Sequence, residues 1–242
     1  MNLCIDQGNS STKVGIFNEN EIVETYNFAD FGSNEMLALV EKHKINACIF
    51  SSVRAENPEF LDWLKCKFII FIELTHETPL PVKNLYHTPE TLGKDRLAAV
   101  VGASFIQPDT DILVIDAGTA ITYDFIDSHK EYHGGNISPG LNLRLRALHE
   151  FTFKLPLVEL NKESEFLGKN TDSAILSGVI YGIVFEIDGY INTLKIKYPK
   201  LSTFLTGGST FYFDNKLKNA IFAEINLVLI GLNRILQYNV QK

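Results

Sequence analysis

One short pattern occurs twice in this chain and limits what it can fold into. Ile5-Asp6-x-Gly8-x-x-x-Thr12 recurs as Ile115-Asp116-x-Gly118-x-x-x-Thr122, close to half a chain length away in 242 residues. In each copy an acid follows an apolar run and precedes a glycine that opens a turn into a second run. Each copy therefore reads as strand, turn, strand. A repeat at this separation implies two halves built to one plan. Glycine in a tight turn leaves backbone N–H groups unshielded by a Cβ. Such groups, with a nearby hydroxyl or amide, cradle phosphate oxygens. The acid beside the turn suits a cation, because hard cations take oxygen ligands. Two ordinary hairpins would carry the same turn residues. The repetition, with a third glycine pair in Thr206-Gly207-Gly208, favours two phosphate-and-cation corners enclosing a nucleotide.

Composition narrows the class. A hydrophobic fraction of 45% and a charged fraction of 21% are those of a soluble globular protein. The net charge of -7 argues against a nucleic-acid surface. Cys4, Cys48 and Cys66 form no CxxC pair and lie in or beside apolar runs, so buried, reduced thiols of a cytoplasmic protein are expected. No basic segment followed by an apolar core and a cleavage site opens the chain. The longest uncharged apolar run, near Ser173 to Phe185, is shorter than the roughly 20 residues that span a bilayer. It reads as a buried helix, and no membrane partner is expected.

Along the first half, strands are expected at Asn2–Ile5, Thr12–Phe17, Glu21–Phe28, Asn46–Ser51 and Phe68–Glu73. Helices are expected at Met36–His43, Pro58–Leu64 and Arg96–Phe105. The break near Pro108 to Asp111 divides the chain into domains 1–110 and 111–242. The second half repeats strand, turn, strand from Ile112 to Ile126. A glycine-rich loop, Gly134 to Gly140, precedes a helix from Leu141 to Phe151, on which Leu141, Leu145 and Leu148 share a face. A long helix starts near Thr171, capped by Asn170 or Thr171. A strand at Leu201–Leu205 and a final helix over Ala223–Leu236 follow. The acidic run Glu159 to Glu165 reads as solvated surface.

Other nucleotide motifs are absent: Gly93-Lys94 and Gly168-Lys169 lack the Walker A continuation, and there is no GxGxxG. His129 and His133, four apart near Asp124 and Asp127, have a spacing metal sites use, but in an expected turn they read as exposed. Phe211, Tyr212 and Phe213 read as core aromatics before they read as an adenine platform.

Four stretches carry a specific resemblance. They are DQGNSSTK from Asp6 to Lys13, YHTPETLGKDR from Tyr86 to Arg96, DAGTAITYDFID from Asp116 to Asp127, and GGNISPGL from Gly134 to Leu141. In this order, followed by GKNTDSAILSG and LTGG, they resemble the type III pantothenate kinases of the acetate kinase, sugar kinase, heat-shock 70 and actin superfamily. Gln7 departs from the small or apolar residue such motifs often carry. The resemblance implies an α/β fold of two ribonuclease-H-like (actin-like ATPase) domains related by duplication, with ATP in the interdomain cleft. It implies ATP-dependent phosphorylation of the 4′-hydroxyl of pantothenate, the first step of coenzyme A biosynthesis. Asp95 matches the catalytic acid that accepts the hydroxyl proton. Tyr86, Gly93, Lys94, Arg96 and Thr171 match the substrate-binding element. Asp6, Gln7, Gly8, Asn9, Ser10, Ser11, Thr12, Lys13 and Thr119 match ATP contacts. Asp116 matches the ligand of a monovalent cation, potassium or ammonium, and magnesium arrives with ATP. The family is dimeric, so a homodimer is implied, with the Leu141 stripe as core or dimer contact.

The residues themselves suit these roles. Asp95 falls in the first turn of an expected helix, where the dipole favours an anion. A loose phosphoryl-transfer transition state asks little of its basicity. Arg96 presents a planar fork that grips a carboxylate with two N–H bonds, and pantothenate ends in a carboxylate. Two alternatives remain at this point: a small-sugar or acyl kinase of the same superfamily, and a nucleotide-binding regulator without kinase activity. The regulator would be marked by loss of the acid that Asp95 supplies.

Overall fold

The computed structural model describes residues 1–29, 31–54, 58–160, 165–213 and 215–240. In chain order the elements are β1 (Asn2–Gln7), β2 (Thr12–Asn18), β3 (Glu21–Phe28), α1 (Ser33–Lys42), β4 (Ala47–Ser52), α2 (Pro58–Lys67), β5 (Ile70–Glu73), β6 (Lys83–Asn84) and α3 (Lys94–Ile106). They continue with β7 (Ile112–Ala117), β8 (Ala120–Ile126), β9 (Glu131–Pro139), α4 (Leu141–Glu150), α5 (Thr171–Lys197), β10 (Ser202–Thr206), β11 (Phe222–Ala223) and α6 (Leu227–Val240).

Two compact units result. The first comprises Met1–Asp109, Ser128–His133 and Asn226–Lys242, and the second Thr110–Asp127 and Gly134–Ile225. The expected break at 110–111 falls at the first passage between them. The chain also returns to the first unit at Ser128 and finally at Asn226, segments that the expected division assigned to the second domain.

In the first unit the sheet runs β3-β2-β1-β4-β5. β1 is antiparallel to β2 and parallel to β4, and β4 is parallel to β5. The strands β9-β8-β7-β10-β11 of the second unit follow the same order. There β7 is antiparallel to β8 and parallel to β10. The duplication inferred from thirteen-residue patterns is thus a duplication of sheet topology, and the mixed α/β class agrees with expectation.

Alternation decides which face each strand buries. Leu3, Ile5, Val14, Ile16, Cys48 and Phe50 pack with Met36 and Leu39 of α1 and Phe60, Leu61 and Leu64 of α2. On the other face of the first sheet lies α6. A Cβ on Gly15 of β2 would sit 3.2 Å from Leu229 Cδ1. α3 then packs on α6 backbone to backbone. A Cβ on Gly231 would lie 1.7 Å from the Ala98 carbonyl oxygen, and one on Gly102 would lie 2.4 Å from that of Leu227. In the second unit, Leu141 and Leu145 of α4 and the stripe Ile175 to Ile191 of α5 pack with Leu113, Ile115, Tyr123 and Leu205. Leu141 and Leu145 are therefore core residues.

Several expectations are corrected. The stretch Gly134 to Gly140, expected as a loop, forms most of β9 up to Pro139. Its glycines signal close strand approach instead: a Cβ on Gly135 would fall 1.7 Å from the Tyr123 carbonyl oxygen. Cys66 is exposed, while Cys4 and Cys48 are buried, and all three are free thiols. The aromatic triplet splits, with Phe213 in the core and Phe211 exposed. α5 has the length and apolarity to cross a membrane, yet 56% of its apolar window is buried within the fold. Of the acidic run at 159–165, residues 161–164 lie outside the described residues, and Glu159 and Glu165 are exposed.

Candidate active site

The first turn joins β1 to β2. The Gly8 N–H donates to the Ser11 carbonyl at 3.0 Å, closing Gly8-Asn9-Ser10-Ser11 into a four-residue bend. The end of β4 braces it. The Ser52 hydroxyl donates to Gln7 Oε1 at 2.9 Å, the Val53 N–H to the Gln7 carbonyl at 3.1 Å, and Arg54 Nη2 to the Asn9 carbonyl at 3.0 Å. Gln7 thus fixes the base of the turn. Asn9 and Ser10 are exposed at its tip, and Asp6 is buried at its foot. Neither Ser52 nor Arg54 carries a local sequence signal, since both act through the strand β4 that lies beside β1.

The second turn joins β7 to β8 and is one residue shorter, with Gly118 N–H donating to the Ala120 carbonyl at 3.1 Å. The difference changes the register. Asp6 lies opposite Lys13 and Gln7 opposite Thr12, whereas Asp116 lies opposite Thr122. Cross-strand partners share a face and adjacent residues do not. Thr122 therefore sits on the face of its acid, and Thr12 on the opposite face from Asp6. The two threonines that align in sequence are not equivalent in space; Lys13 is the structural counterpart of Thr122.

Around Asp116 the second unit brings three glycine stretches together. Thr206 of β10 is the register partner of Asp116. Gly207 follows with φ +98°, and a Cβ there would fall 2.4 Å from Asp116 Oδ1 and 2.6 Å from the Ala117 carbonyl carbon. Only glycine accommodates both that φ and that contact. Ser209 N–H donates to the Ala117 carbonyl at 3.0 Å. At the start of α4, Gly140 N–H donates to the Thr119 carbonyl at 3.1 Å, and a Cβ on Gly140 would lie 2.4 Å from the carbonyl oxygens of Gly118 and Thr119. Thr119 itself is exposed at the tip. The result is a corner of close-packed backbone holding one half-buried carboxylate.

Behind this corner, Glu186 of α5 ties the layers of the unit. Arg144 Nη2 of α4 reaches Glu186 Oε2 at 2.5 Å, and the Tyr123 hydroxyl of β8 donates to Oε1 at 2.9 Å. Burial pushes the Glu186 carboxyl upward, but hydrogen bonds from Arg144, Ser138 and Tyr123 outweigh it and hold the group below its ordinary range. Burial, reinforced by Glu186, drives the Tyr123 hydroxyl well above its ordinary value.

The third component belongs to the first unit and is the start of α3. Gly93 is its N-cap residue, and Lys94 and Asp95 open the first turn. Asp95 Oδ1 accepts the Arg96 N–H at 2.8 Å, which pins the carboxylate to the helix end. A Cβ on Gly93 would come within 2.5 Å of the same oxygen. Asp95 Oδ2 has no hydrogen-bond partner among the described residues. Arg96 is buried, with its guanidinium carbon 5.7 Å from the Tyr86 ring centre. Tyr86 in turn stacks on Tyr132, with ring centres 6.3 Å apart, and its N–H donates to Asn84 Oδ1 at 2.9 Å. Tyr132 escaped sequence reasoning, because its place under Tyr86 follows from the pairing of β6 with the start of β9.

The structure thus groups Asp6 to Lys13, and separately Tyr86 with Gly93 to Arg96, in the first unit. It groups Asp116 with Thr119 in the second. Thr171 is the exposed first residue of α5, after Asn170, whose Oδ1 caps the helix by accepting the Ser173 N–H at 2.9 Å.

Comparison with known proteins agrees with these motifs. The family profile described as Type III pantothenate kinase matches residues 2–193. A type III pantothenate kinase of Phocaeicola vulgatus is 50% identical over 239 residues, covering 99% of each chain. One of Porphyromonas gingivalis is 43% identical over 244 residues, again covering 99% of each. Among solved structures, a Baf family protein from Campylobacter jejuni aligns with a TM-score of 0.61 at 23% identity, covering 99% of this chain and 100% of that one. An activator of 2-hydroxyisocaproyl-CoA dehydratase from Clostridium difficile, solved with bound ADPNP, aligns at 0.53 with 12% identity, covering 99% and 94%. These structures share the fold. With the profile over most of its length and relatives at half identity, the chain belongs to the type III pantothenate kinase family.

Proposed function

We propose that this chain transfers the γ-phosphoryl group of ATP to the 4′-hydroxyl of pantothenate, opening the route to coenzyme A. Family membership supports the reaction. The observation that carries the assignment of roles is the start of α3, where Asp95 is pinned through Oδ1 and keeps Oδ2 open beside a buried, ring-stacked Arg96. Asp95 Oδ2 orients the substrate hydroxyl and takes its proton as the oxygen–phosphorus bond forms and the bond to the β-phosphate oxygen breaks. Little nucleophile bonding is needed in a loose transition state, so positioning dominates. Arg96 grips the pantothenate carboxylate, with Tyr86, Gly93, Lys94 and Thr171 completing the substrate element. The turn from Asp6 to Lys13 and the turn at Thr119 offer backbone N–H groups and hydroxyls to phosphate oxygens.

A monovalent cation, potassium or ammonium, fits the corner at Asp116. The Thr122 hydroxyl across the strand pair is buried without a hydrogen-bond partner, so it offers an oxygen on the face of the carboxylate. Such a cation would offset repulsion between carboxylate and phosphate. Magnesium enters with ATP as part of the substrate. A homodimer working in the cytoplasm on soluble metabolites, without nucleic acid or membrane, completes the proposal. The regulator alternative is disfavoured by the presence of Asp95.

The test is mass detection of phosphopantothenate from purified protein, magnesium ATP and pantothenate, with and without potassium. Asp95→Asn should lower turnover by about 10²–10⁴-fold while ATP binding persists. Absence of phosphopantothenate from the unaltered protein would overturn the function, and normal turnover in the variant would overturn the base.

A further inference from the structure

The helix that carries Asp95 also walls a second cavity. Ser104 lies nine residues further along α3, about 14 Å at 1.5 Å per residue. There a cavity of about 260 Å³ opens within the first unit, between the last turns of α3, the segment before β6, and α6. Pro81, Val82, Val101, Phe105 and Pro108 supply apolar walls, and the polar groups are Ser104, Lys130 and Arg234.

The three polar groups differ in burial but share one cavity. Ser104 is 8% exposed and lines the cavity. Arg234 is half-buried and makes no ion pair among the described residues; its guanidinium carbon rests 5.3 Å from the Phe105 ring centre. Lys130 also lacks a carboxylate partner among the described residues. Its backbone is held in the left-handed region at φ 63°, and its carbonyl is fixed by the Lys83 N–H at 2.8 Å. Acids outnumber bases 29 to 22 in the chain, but no acid lines this cavity. Two cations and a hydroxyl around an apolar floor, with no acid among the lining residues, match an anionic head on an apolar body. The volume lies below the usual range for drug-sized ligands, so the body must be small.

We propose that the cavity lined by Val82, Val101, Ser104, Phe105, Lys130 and Arg234 is a second ligand site that takes a small organic carboxylate. The carboxylate sits between Lys130 and Arg234 and accepts a hydrogen bond from the Ser104 hydroxyl, while the apolar body lies on Val101 and Phe105. This site is separate from the Asp95 end of α3 and does not depend on the reaction proposed above.

Saturation-transfer NMR on the full chain tests the site, with benzoate as probe and benzamide as its neutral isostere. The Lys130→Gln and Arg234→Gln variants keep Arg96, so the part of the benzoate signal that they remove belongs to this cavity. Benzoate should bind, and benzamide should bind about tenfold more weakly, the worth of a charge-assisted contact. Lys130→Gln and Arg234→Gln should each weaken benzoate by a similar factor without altering benzamide. Because Lys130 is exposed, its substitution leaves the fold intact and decides the matter even if Arg234→Gln misfolds. Failure of millimolar benzoate to bind, equal binding of the amide, or undiminished binding in Lys130→Gln would each overturn the proposal.

Discussion

Arg96 shows how narrowly one position can be specified. Its side chain is 6% exposed, its guanidinium lies over Tyr86, and its own N–H holds the Asp95 carboxylate. Lysine would keep the charge but lose the guanidinium over the Tyr86 ring and the two-pronged grip proposed for the pantothenate carboxylate. Arg96→Lys should therefore raise the KM for pantothenate about tenfold or more, with kcat falling less, because binding is lost in ground and transition states alike. Steady-state kinetics with varied pantothenate check this, and an unchanged KM would remove Arg96 from the substrate element. Its helical setting was legible in the sequence, where a helix was expected from Arg96 with Asp95 in the first turn. Its neighbours were not. Tyr132 arrives through strand pairing, and Arg54 braces the first turn from the end of β4. The matched threonines misled for a related reason: a one-residue difference in turn length reverses a side chain's face, and spacing alone does not show which residue the turn absorbs.

Helix and strand positions were legible where the period was clear, as in α5, and misread where glycine served packing rather than a turn. Gly135 in β9 is one case, and the α3–α6 contact is another. Gly102 and Gly231 let the two helices touch through their backbones, with the Gly231 Cβ position only 1.7 Å from the Ala98 carbonyl oxygen. No pattern within either helix announces this, because each glycine answers to a partner more than a hundred residues away. Gly231→Ala must push the helices apart and should cost about 3 kcal/mol or more, as overpacking of a tight core contact does. Gly189 in α5 is the control. A Cβ there meets nothing within 4 Å, so Gly189→Ala should stabilise by about 0.5–1 kcal/mol through backbone entropy and helix propensity. Urea unfolding of both variants separates the two kinds of helical glycine. A neutral Gly231→Ala would mean that the close crossing is not required.

At the scale of the whole molecule, two halves built to one plan could be inferred from the duplicated turn, but the strand order within each sheet and the path of the chain between units could not. Hydrophobic periodicity identifies α6 as amphipathic without saying which sheet it covers. It covers the first, so the first unit is built from both ends of the chain. Leu227, Val228, Leu229, Leu232, Ile235 and Leu236 of α6 are all buried. At about 1.5–3 kcal/mol for each fully buried aliphatic side chain, their joint contribution is of the order of a domain's entire stability, about 5–15 kcal/mol. A fragment ending at residue 110 lacks them and leaves the α6-facing sides of α3 and the first sheet open to water. It should show no cooperative urea transition by circular dichroism. Joining residues 226–240 to residue 109 through a flexible linker should restore a cooperative transition, because the linker returns α6 to the face it covers at high effective concentration. A sigmoidal transition in the short fragment would show that α6 is dispensable and that the first unit folds from contiguous sequence.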